Sequence, residues 1–126
     1  MKMIIAIACG GAFGAVSRHY LAYYINQTVG TGFPWGVLAV NILGSFILGG
    51  VVGLSVVVWS PSPEVRAFIT VGFLGSLTTF SSFALDVGLL YERGAIVSMA
   101  GYIGASVGLG IGAFFLSLSI MRSLLG

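Results

Sequence analysis

Long uncharged runs dominate the pattern of hydrophobic and polar positions along the chain. Asp, Glu, Lys and Arg are absent from residues 3–17, 19–63, 67–85 and 94–121, which are 15, 45, 19 and 28 residues long. A helix needs about 20 mostly apolar residues to cross the hydrocarbon core of a bilayer. The pattern therefore predicts four membrane-spanning helices, at residues 4–24, 35–59, 65–90 and 95–118.

Polar and turn-forming residues separate the four predicted spans. Asn26 begins a polar stretch after the first span, and Pro34 belongs to a turn signal before the second. Pro61 and Pro63 make the clearest break, because each proline disfavours helix in the residue before it. Gly94 lies in a tight connection between the last two spans. We expect residues 1–126 to form a single four-helix transmembrane domain.

The composition supports an all-α membrane protein. Eight of the 126 residues are charged, or 6%, and 58% are hydrophobic, whereas a soluble domain carries about 25% charged residues. A soluble fold and a disordered chain are therefore excluded. The net charge of +2 is too small to indicate a nucleic-acid partner. The alternating segments typical of an outer-membrane barrel are also missing from the sequence.

The few basic residues are nearly balanced between the two sides of the membrane. Four spans place both termini on one side, which carries Lys2, Arg66 and Arg122. The other side carries Arg93, and also Arg18 if its side chain reaches that interface. Lys and Arg counts normally set orientation. Two interpretations remain open: a weak preference for one orientation, or dual topology, in which copies insert both ways and form an antiparallel homodimer.

Glycines spaced four residues apart predict close packing of helices. Each series leaves a smooth stripe where a second helix can approach. Four helices in one protomer cannot use all of these stripes, so we expect an oligomer. The stripes are formed by Gly10 and Gly14, by Gly49 and Gly53, and by Gly104, Gly108 and Gly112.

The middle of the third span is unusually polar. Five of the seven residues from Ser76 to Ser82 carry hydroxyl groups, and Gly72 and Gly75 precede them. One or two hydroxyls can bond to the carbonyl four residues earlier, but five predict a helix that is broken near the membrane midplane. Broken helices expose backbone groups that can bind ions. Glycine-mediated packing is the alternative interpretation.

Two phenylalanines lie within and directly after this polar stretch. Phe80 and Phe83 are three residues apart and therefore share one helix face. Such a pair can face lipid or the protein core. Alternatively, the positive edges of the rings can point into a narrow passage and stabilise a small, largely dehydrated anion.

Four more polar residues lie inside the predicted spans and need partners there. Asn41 can bond across helices or line a wet cavity. Tyr102 and Ser106 are four residues apart and share a face, where they can form a track of donors or bond to a neighbouring helix. Arg18 can extend to the interface or supply a basic lining at a pore mouth.

The sequence contains no motif that predicts an enzyme. No cluster of His, Cys or carboxylates has metal-ligand spacing, and neither a nucleophile–base set nor a phosphate-binding loop is present. Glu64 and Glu92 lie at the boundaries of the spans, so Asp86 is the sole carboxylate expected inside one. Proton exchange carried by carboxylates therefore has no other obvious carrier.

Four segments of the chain resemble the signatures of the CrcB/Fluc family of fluoride channels. The resemblance extends through all four spans, and its third-span motif is highly specific. The segments are residues 10–18 (GGAFGAVSR), Val40-Asn41 with Gly44, residues 72–83 (GFLGSLTTFSSF) and residues 101–106 (GYIGAS).

The resemblance implies a dual-topology antiparallel homodimer with two pores that export fluoride passively from the cytoplasm across the inner (plasma) membrane. It implies that Phe80 and Phe83 line each pore through their ring edges, and that Arg18 lies near the entrance vestibule. Backbone carbonyls of Gly75 and Thr78, doubled by the dimer axis, would hold a structural sodium ion. The remaining donors along the pore would be Asn41, Tyr102, Ser106, Thr79 and Ser82.

Three positions depart from the family pattern and two other functions compete with it. Ser76 replaces a common glycine, Val37 a frequent threonine, and Gly110 a serine found in some members, which leaves the outer parts of the polar track unspecified. A small dual-topology multidrug exporter would need a glutamate in the first span, which has none. A non-transporting assembly subunit would gain little from five central hydroxyls.

Overall fold

The computed structural model describes the backbone of all 126 residues and every side chain except that of Val57. Helix α1 spans Lys2–Val29 and helix α2 spans Trp35–Val57. A third span consists of α3 (Pro63–Arg66), a π-helix (Ala67–Leu74), α4 (Gly75–Leu77) and α5 (Phe80–Glu92). Helix α6 covers Ile96–Leu125.

Four stretches are long and apolar enough to cross a membrane, namely Lys2–Val29, Trp35–Val56, Pro63–Glu92 and Ile96–Leu125. The prediction of an all-helical chain with four candidate spans is thus confirmed. The first helix continues beyond residue 24, where the predicted span ends, and the hydroxyl of Thr28 donates to the carbonyl of Tyr24 at 2.9 Å. Gly30 follows the helix with a φ of 131°, a conformation that glycine adopts without steric cost.

The third span is bent and changes helix type along its length. Pro63 occupies its first turn, and the Ser62 side chain accepts a hydrogen bond from the Val65 N–H at 3.3 Å, which caps α3. The π-helix follows, and α4 then ends in two residues with extended backbone, Thr78 (φ −85°, ψ 154°) and Thr79 (φ −152°, ψ 120°). These two residues interrupt the helix inside the hydroxyl-rich stretch.

Glycine allows two pairs of helices to pack backbone against backbone. A Cβ atom at Gly10 or Gly14 would overlap a backbone carbonyl of the π-helix, and one at Gly49 would overlap the carbonyl of Phe114 in α6. Two of the three glycine stripes therefore hold the protomer together, joining α1 to the π-helix and α2 to α6. The third stripe is different: a Cβ on Gly104, Gly108 or Gly112 would have no atom of the described residues within 4 Å.

Two buried clusters stabilise the fold on either side of the break. One consists of Leu38, Leu90 and Tyr102, and the other of Val40, Leu74 and Leu77. Helix α2 contributes to both clusters, so it fixes the two halves of the third span relative to each other.

Candidate ion pathway

Asn41 holds the interruption of the third span from the side of α2. Its Oδ1 accepts a hydrogen bond from the Thr79 N–H at 2.8 Å, and its Nδ2 donates to the Thr79 carbonyl at 3.2 Å. Both backbone groups of an extended residue thereby gain a partner that the helix does not supply. The sequence left two roles open for Asn41, a bond across helices or the lining of a wet cavity. The structure shows the bond across helices, and this bond uses one of the two amide hydrogens of Asn41.

The threonines at the break satisfy local backbone groups. Thr79 is 8% exposed, and its Oγ1 accepts from the Ser82 N–H at 3.1 Å, so it caps the start of α5. The same Oγ1 lies 3.2 Å from the hydroxyl of Ser81. Thr78 donates its hydroxyl to the Leu74 carbonyl at 3.0 Å. These hydroxyls shape the turn between the two helix segments.

Backbone carbonyls just before the break lose their usual helical donors. In an α-helix the carbonyl of Gly75 would accept from the Thr79 N–H, but that N–H donates to Asn41. The carbonyl of Ser76 instead accepts a hydrogen bond from Arg18 Nη1 at 3.0 Å. Arg18 is therefore directed at the break itself. It also lines a cavity of about 350 Å³ that includes His19, Tyr23, Asn26, Val37 and Ser82.

A second cavity, of about 220 Å³, lies beside the two phenylalanines. The ring centroids of Phe80 and Phe83 are 5.5 Å apart, with their planes inclined by 51°. The buried Oγ of Ser106 has no hydrogen-bond partner among the side chains and backbone groups that the structure describes. Ser106 thus contributes to the wall of this cavity and carries a hydroxyl that has no partner in the described part of the chain. Its walls are Asn41, Ser45, Thr78, Thr79, Phe80, Phe83, Ser106 and Val107.

Tyr102 lies beyond Phe83 and is fully buried. The two ring centroids are 5.2 Å apart, and the Tyr102 hydroxyl donates to Asp86 Oδ2 at 3.0 Å. A third cavity, of about 170 Å³, begins at this acid. It is lined by Asn26, Thr31, Gly32, Phe33, Pro34, Val37, Asp86, Leu89, Leu90 and Arg93.

The sequence-predicted residues therefore fall into three neighbouring groups. Asn41, Thr79, Phe80, Phe83 and Ser106 share one cavity, Arg18 and Ser82 share another, and Tyr102 lies against Phe83 at the edge of the third. Gly75 is the first residue of α4, and Thr78 directly follows its last residue.

Two residues of this region were not anticipated from the sequence: Ser45, which shares the cavity with Ser106, and Phe33, which packs edge-on against Tyr102. The sequence places Asp86 inside the third span, one turn after Phe83, and favours an arginine as its structural partner. In the structure Asp86 instead accepts a hydrogen bond from Tyr102. Phe33 carried no comparable signal, because it lies in a turn before α2.

The departures from the family pattern lie around the same cavities. Val37 lines both the Arg18 cavity and the Asp86 cavity, where an apolar side chain offers no donor. Ser76 uses its backbone carbonyl to bind Arg18. A Cβ at Gly110 would stand 4.0 Å from the hydroxyl of Ser45, which lines the phenylalanine cavity.

Comparison with known proteins identifies the relatives of this chain. The family described as "CrcB-like protein, Camphor Resistance (CrcB)" matches residues 5–118. A "Fluoride-specific ion channel FluC" from Rhodospirillum centenum is 50% identical over 123 residues, which cover 98% of each chain. Proteins of the same name from Agrobacterium fabrum and Rhizobium etli are 46% and 44% identical over 124 residues, covering 98% of this chain and 99% of each relative.

These matches confirm the resemblance found in the sequence and the expectation that the chain is not an enzyme. They do not favour the multidrug exporter or the assembly subunit. Since the family match and the identities extend over nearly the whole chain, the protein is a multi-pass membrane protein of the CrcB/FluC fluoride-specific ion channel family.

Proposed function

We propose that this protein conducts fluoride passively out of the cell across the inner membrane, with residues 1–126 acting as one transmembrane domain. The observation that carries the proposal is the cavity in which Phe80 and Phe83 lie beside the partnerless hydroxyl of Ser106. Such a cavity combines a free hydroxyl with two aromatic rings next to the interruption of the third span. The relatives named as fluoride-specific channels support the same conclusion.

The chemistry of the cavity suits a small anion. Fluoride holds its hydration shell strongly, so a pore has to replace water by other hydrogen-bond donors. Hydroxyl and amide hydrogens provide such donors, and the positive edges of aromatic rings add weaker stabilisation. None of these groups carries a full positive charge. Conduction requires binding that is favourable enough for the ion to enter and weak enough for it to leave.

We assign the path to residues on both sides of the break. Phe80 and Phe83 direct ring edges towards the ion, and Ser106 donates its unused hydroxyl. Asn41 contributes its second amide hydrogen, while Arg18 attracts anions at the entrance. The hydroxyls of Thr79 and Ser82 flank the turn between these groups. Tyr102 donates at the far end, when its hydrogen is released from Asp86.

A sodium ion at the break fits the donor chemistry found there. Backbone carbonyls are neutral oxygen acceptors, and oxygen atoms are what small hard cations prefer. The Gly75 carbonyl has lost its helical donor to Asn41, and Thr78 has an extended backbone that ends the helical ladder. We propose that these two carbonyls, together with the same pair from a second copy, hold the ion on a two-fold axis.

Three features of the chain support an antiparallel homodimer. Phe80 is 80% exposed in the single chain, so a second copy is needed to enclose a path along its ring. The stripe of Gly104, Gly108 and Gly112 leaves α6 open to close approach by another helix. The near balance of basic residues between the two ends permits both insertion orientations.

A flux assay on the purified protein tests the proposal. Liposomes that contain the protein and potassium fluoride are treated with valinomycin, and the released fluoride is followed with a fluoride electrode. We expect rapid fluoride efflux and little chloride efflux. Absence of fluoride efflux, or equal efflux of chloride, would overturn the proposed function.

Substitution of the two rings tests which residues carry the flux. We expect Phe80→Ile with Phe83→Ile to abolish fluoride efflux while the protein remains a dimer by size-exclusion chromatography. The control replaces two exposed rings outside this cavity, Phe13→Ile with Phe115→Ile, and should conduct like the wild type. Undiminished efflux in the Phe80/Phe83 variant would show that the fluoride path does not run along these two rings.

A further inference from the structure

Two chain connections meet at one end of the molecule. The loop of residues 30–34 joins α1 to α2, and the turn around Gly94 joins α5 to α6. Arg93 Nη2 donates a hydrogen bond to the Gly32 carbonyl at 2.7 Å, across 61 residues of sequence. This distance is at the short end of the range for a charge-assisted N–H···O bond. The contact ties the two connections together.

The loop held by Arg93 carries an aromatic ring into the protein. Phe33 is half-buried and packs on the cluster of Leu38, Leu90 and Tyr102. Its ring meets Tyr102 edge-to-face, with centroids 5.5 Å apart and planes at 90°. An edge-to-face aromatic pair contributes directional stabilisation beyond the buried area alone. Phe33 therefore restricts where the tyrosine ring can lie.

Tyr102 connects this end of the molecule to the phenylalanine cavity. Its ring contacts both Phe83 and Phe33, and its hydroxyl donates to Asp86. A change in the position of Phe33 therefore acts on the tyrosine that lies next to the proposed ion path. The link begins with Arg93, which lines the same third cavity as Phe33 and Asp86.

We infer that Arg93 is a positioning residue for the ion path: by fixing the loop at Gly32 it holds Phe33 against Tyr102 and so places the tyrosine hydroxyl. This inference rests on the proposed fluoride conduction. A guanidinium suits the task because it presents several donors in a fixed plane. Backbone hydrogen bonds to Asn26 and Leu38 tie Gly30 and Pro34 to the helix ends, whereas the carbonyl of Gly32 between them is held by Arg93.

A double-mutant cycle distinguishes this role from a general effect of the arginine. Arg93→Gln removes the restraint, and Phe33→Leu removes the aromatic contact while keeping an apolar side chain. We expect each to lower fluoride efflux per dimer about fivefold. Because both act through one contact, we expect the double variant also to lose about fivefold, whereas independent effects would multiply to about 25-fold.

Two further variants control for charge. Arg93→Lys keeps the positive charge and one donor group, and we expect it to recover most of the efflux. Arg66→Gln removes a basic residue from the opposite end of the molecule and should conduct like the wild type. An equal loss in Arg66→Gln would show that net charge rather than the contact to Gly32 matters, and would overturn the inference. No recovery in Arg93→Lys would show that a cationic donor at this position does not restore efflux, and would overturn it as well.

Tryptophan fluorescence gives a readout that does not depend on conduction. The ring of Trp35 lies 4.6 Å from that of Phe33, and Trp59→Phe leaves Trp35 as the single tryptophan of the chain. In that background we expect Arg93→Gln to increase the acrylamide quenching constant of Trp35 about twofold, because the loop opens. Arg93→Lys should quench like the parent.

The outcomes separate the inference from the proposed function. If the wild type conducts fluoride but Arg93→Gln conducts equally well with unchanged quenching, the positioning role is wrong and the channel function stands. Multiplicative losses in the double-mutant cycle also overturn the role. If the wild type does not conduct fluoride, the proposed function fails, and the positioning role fails with it even where quenching changes.

Discussion

Replacing Asn41 with leucine removes the two hydrogen bonds that join α2 to the break in the third span. The Thr79 N–H loses an acceptor at 2.8 Å and the Thr79 carbonyl loses a donor at 3.2 Å, while the new side chain keeps a similar size. Thr79 is 8% exposed, so water does not readily replace the lost partner. Both of its backbone groups are then left unpaired.

The cost of this substitution can be bounded. Interhelical hydrogen bonds in membrane proteins contribute about 0.6 kcal/mol on average, so two of them set a lower limit near 1 kcal/mol. A buried polar group that loses its partner costs about 1–3 kcal/mol, which sets the upper range for two groups. We expect Asn41→Leu to lower the free energy of unfolding by about 1 to 6 kcal/mol.

Unfolding in rising mole fractions of SDS measures this loss, with helix content followed by circular dichroism. Leu43→Ile serves as the control, because Leu43 is exposed on the same helix and such substitutions usually change stability by less than about 0.5 kcal/mol. If Asn41→Leu unfolded with the wild-type free energy, the hydrogen bonds to Thr79 would not stabilise the break, and the reasoning would be refuted.

Three other predictions follow from the same structure. Ser106→Ala should lower fluoride efflux at least severalfold, because it removes the partnerless donor of the cavity. Ser117→Ala, at a buried serine outside that cavity, should leave efflux unchanged. Equal efflux from both variants would exclude the donor role of Ser106. Gly10→Ala should destabilise the protein, since its Cβ would overlap the backbone of the π-helix. The Cβ of Gly88→Ala would meet open space, so this variant should be neutral or stabilising by up to about 1 kcal/mol. Thermal unfolding in detergent compares the two variants. Replacing sodium by a large organic cation should lower the temperature at which the dimer dissociates, and an unchanged temperature would contradict the sodium site.

The four candidate spans were predictable because hydropathy is summed along one continuous segment. Their number agrees with the structure, although α1 and α6 run to Val29 and Leu125, beyond the predicted ends. Polar residues such as Asn26 can continue a helix into the interface, so loss of hydropathy does not mark its end. The interruption among the hydroxyls was also predictable, because five of them compete locally with the helical ladder.

The partners of the buried polar groups were not predictable in the same way. Asn41 bonds to Thr79 across 38 residues, Arg18 to Ser76 across 58, and Tyr102 to Asp86 across 16. For Asn41 and Arg18 the sequence left two roles open, and it contained no indication that the Tyr102 hydroxyl meets an acid. Each contact requires two segments to approach within about 3 Å.

Residue order alone thus determined the class of the protein, its four spans and the polar centre of the third. The tertiary structure decided which backbone groups at the break keep a partner, which hydroxyl is left without one, and where Arg93 reaches Gly32. The physical reason is that hydrophobicity and turn chemistry belong to single segments. A long-range hydrogen bond requires two segments of the chain to lie close together, and the distance between the segments is set by close packing at residues such as Gly10 and Gly49.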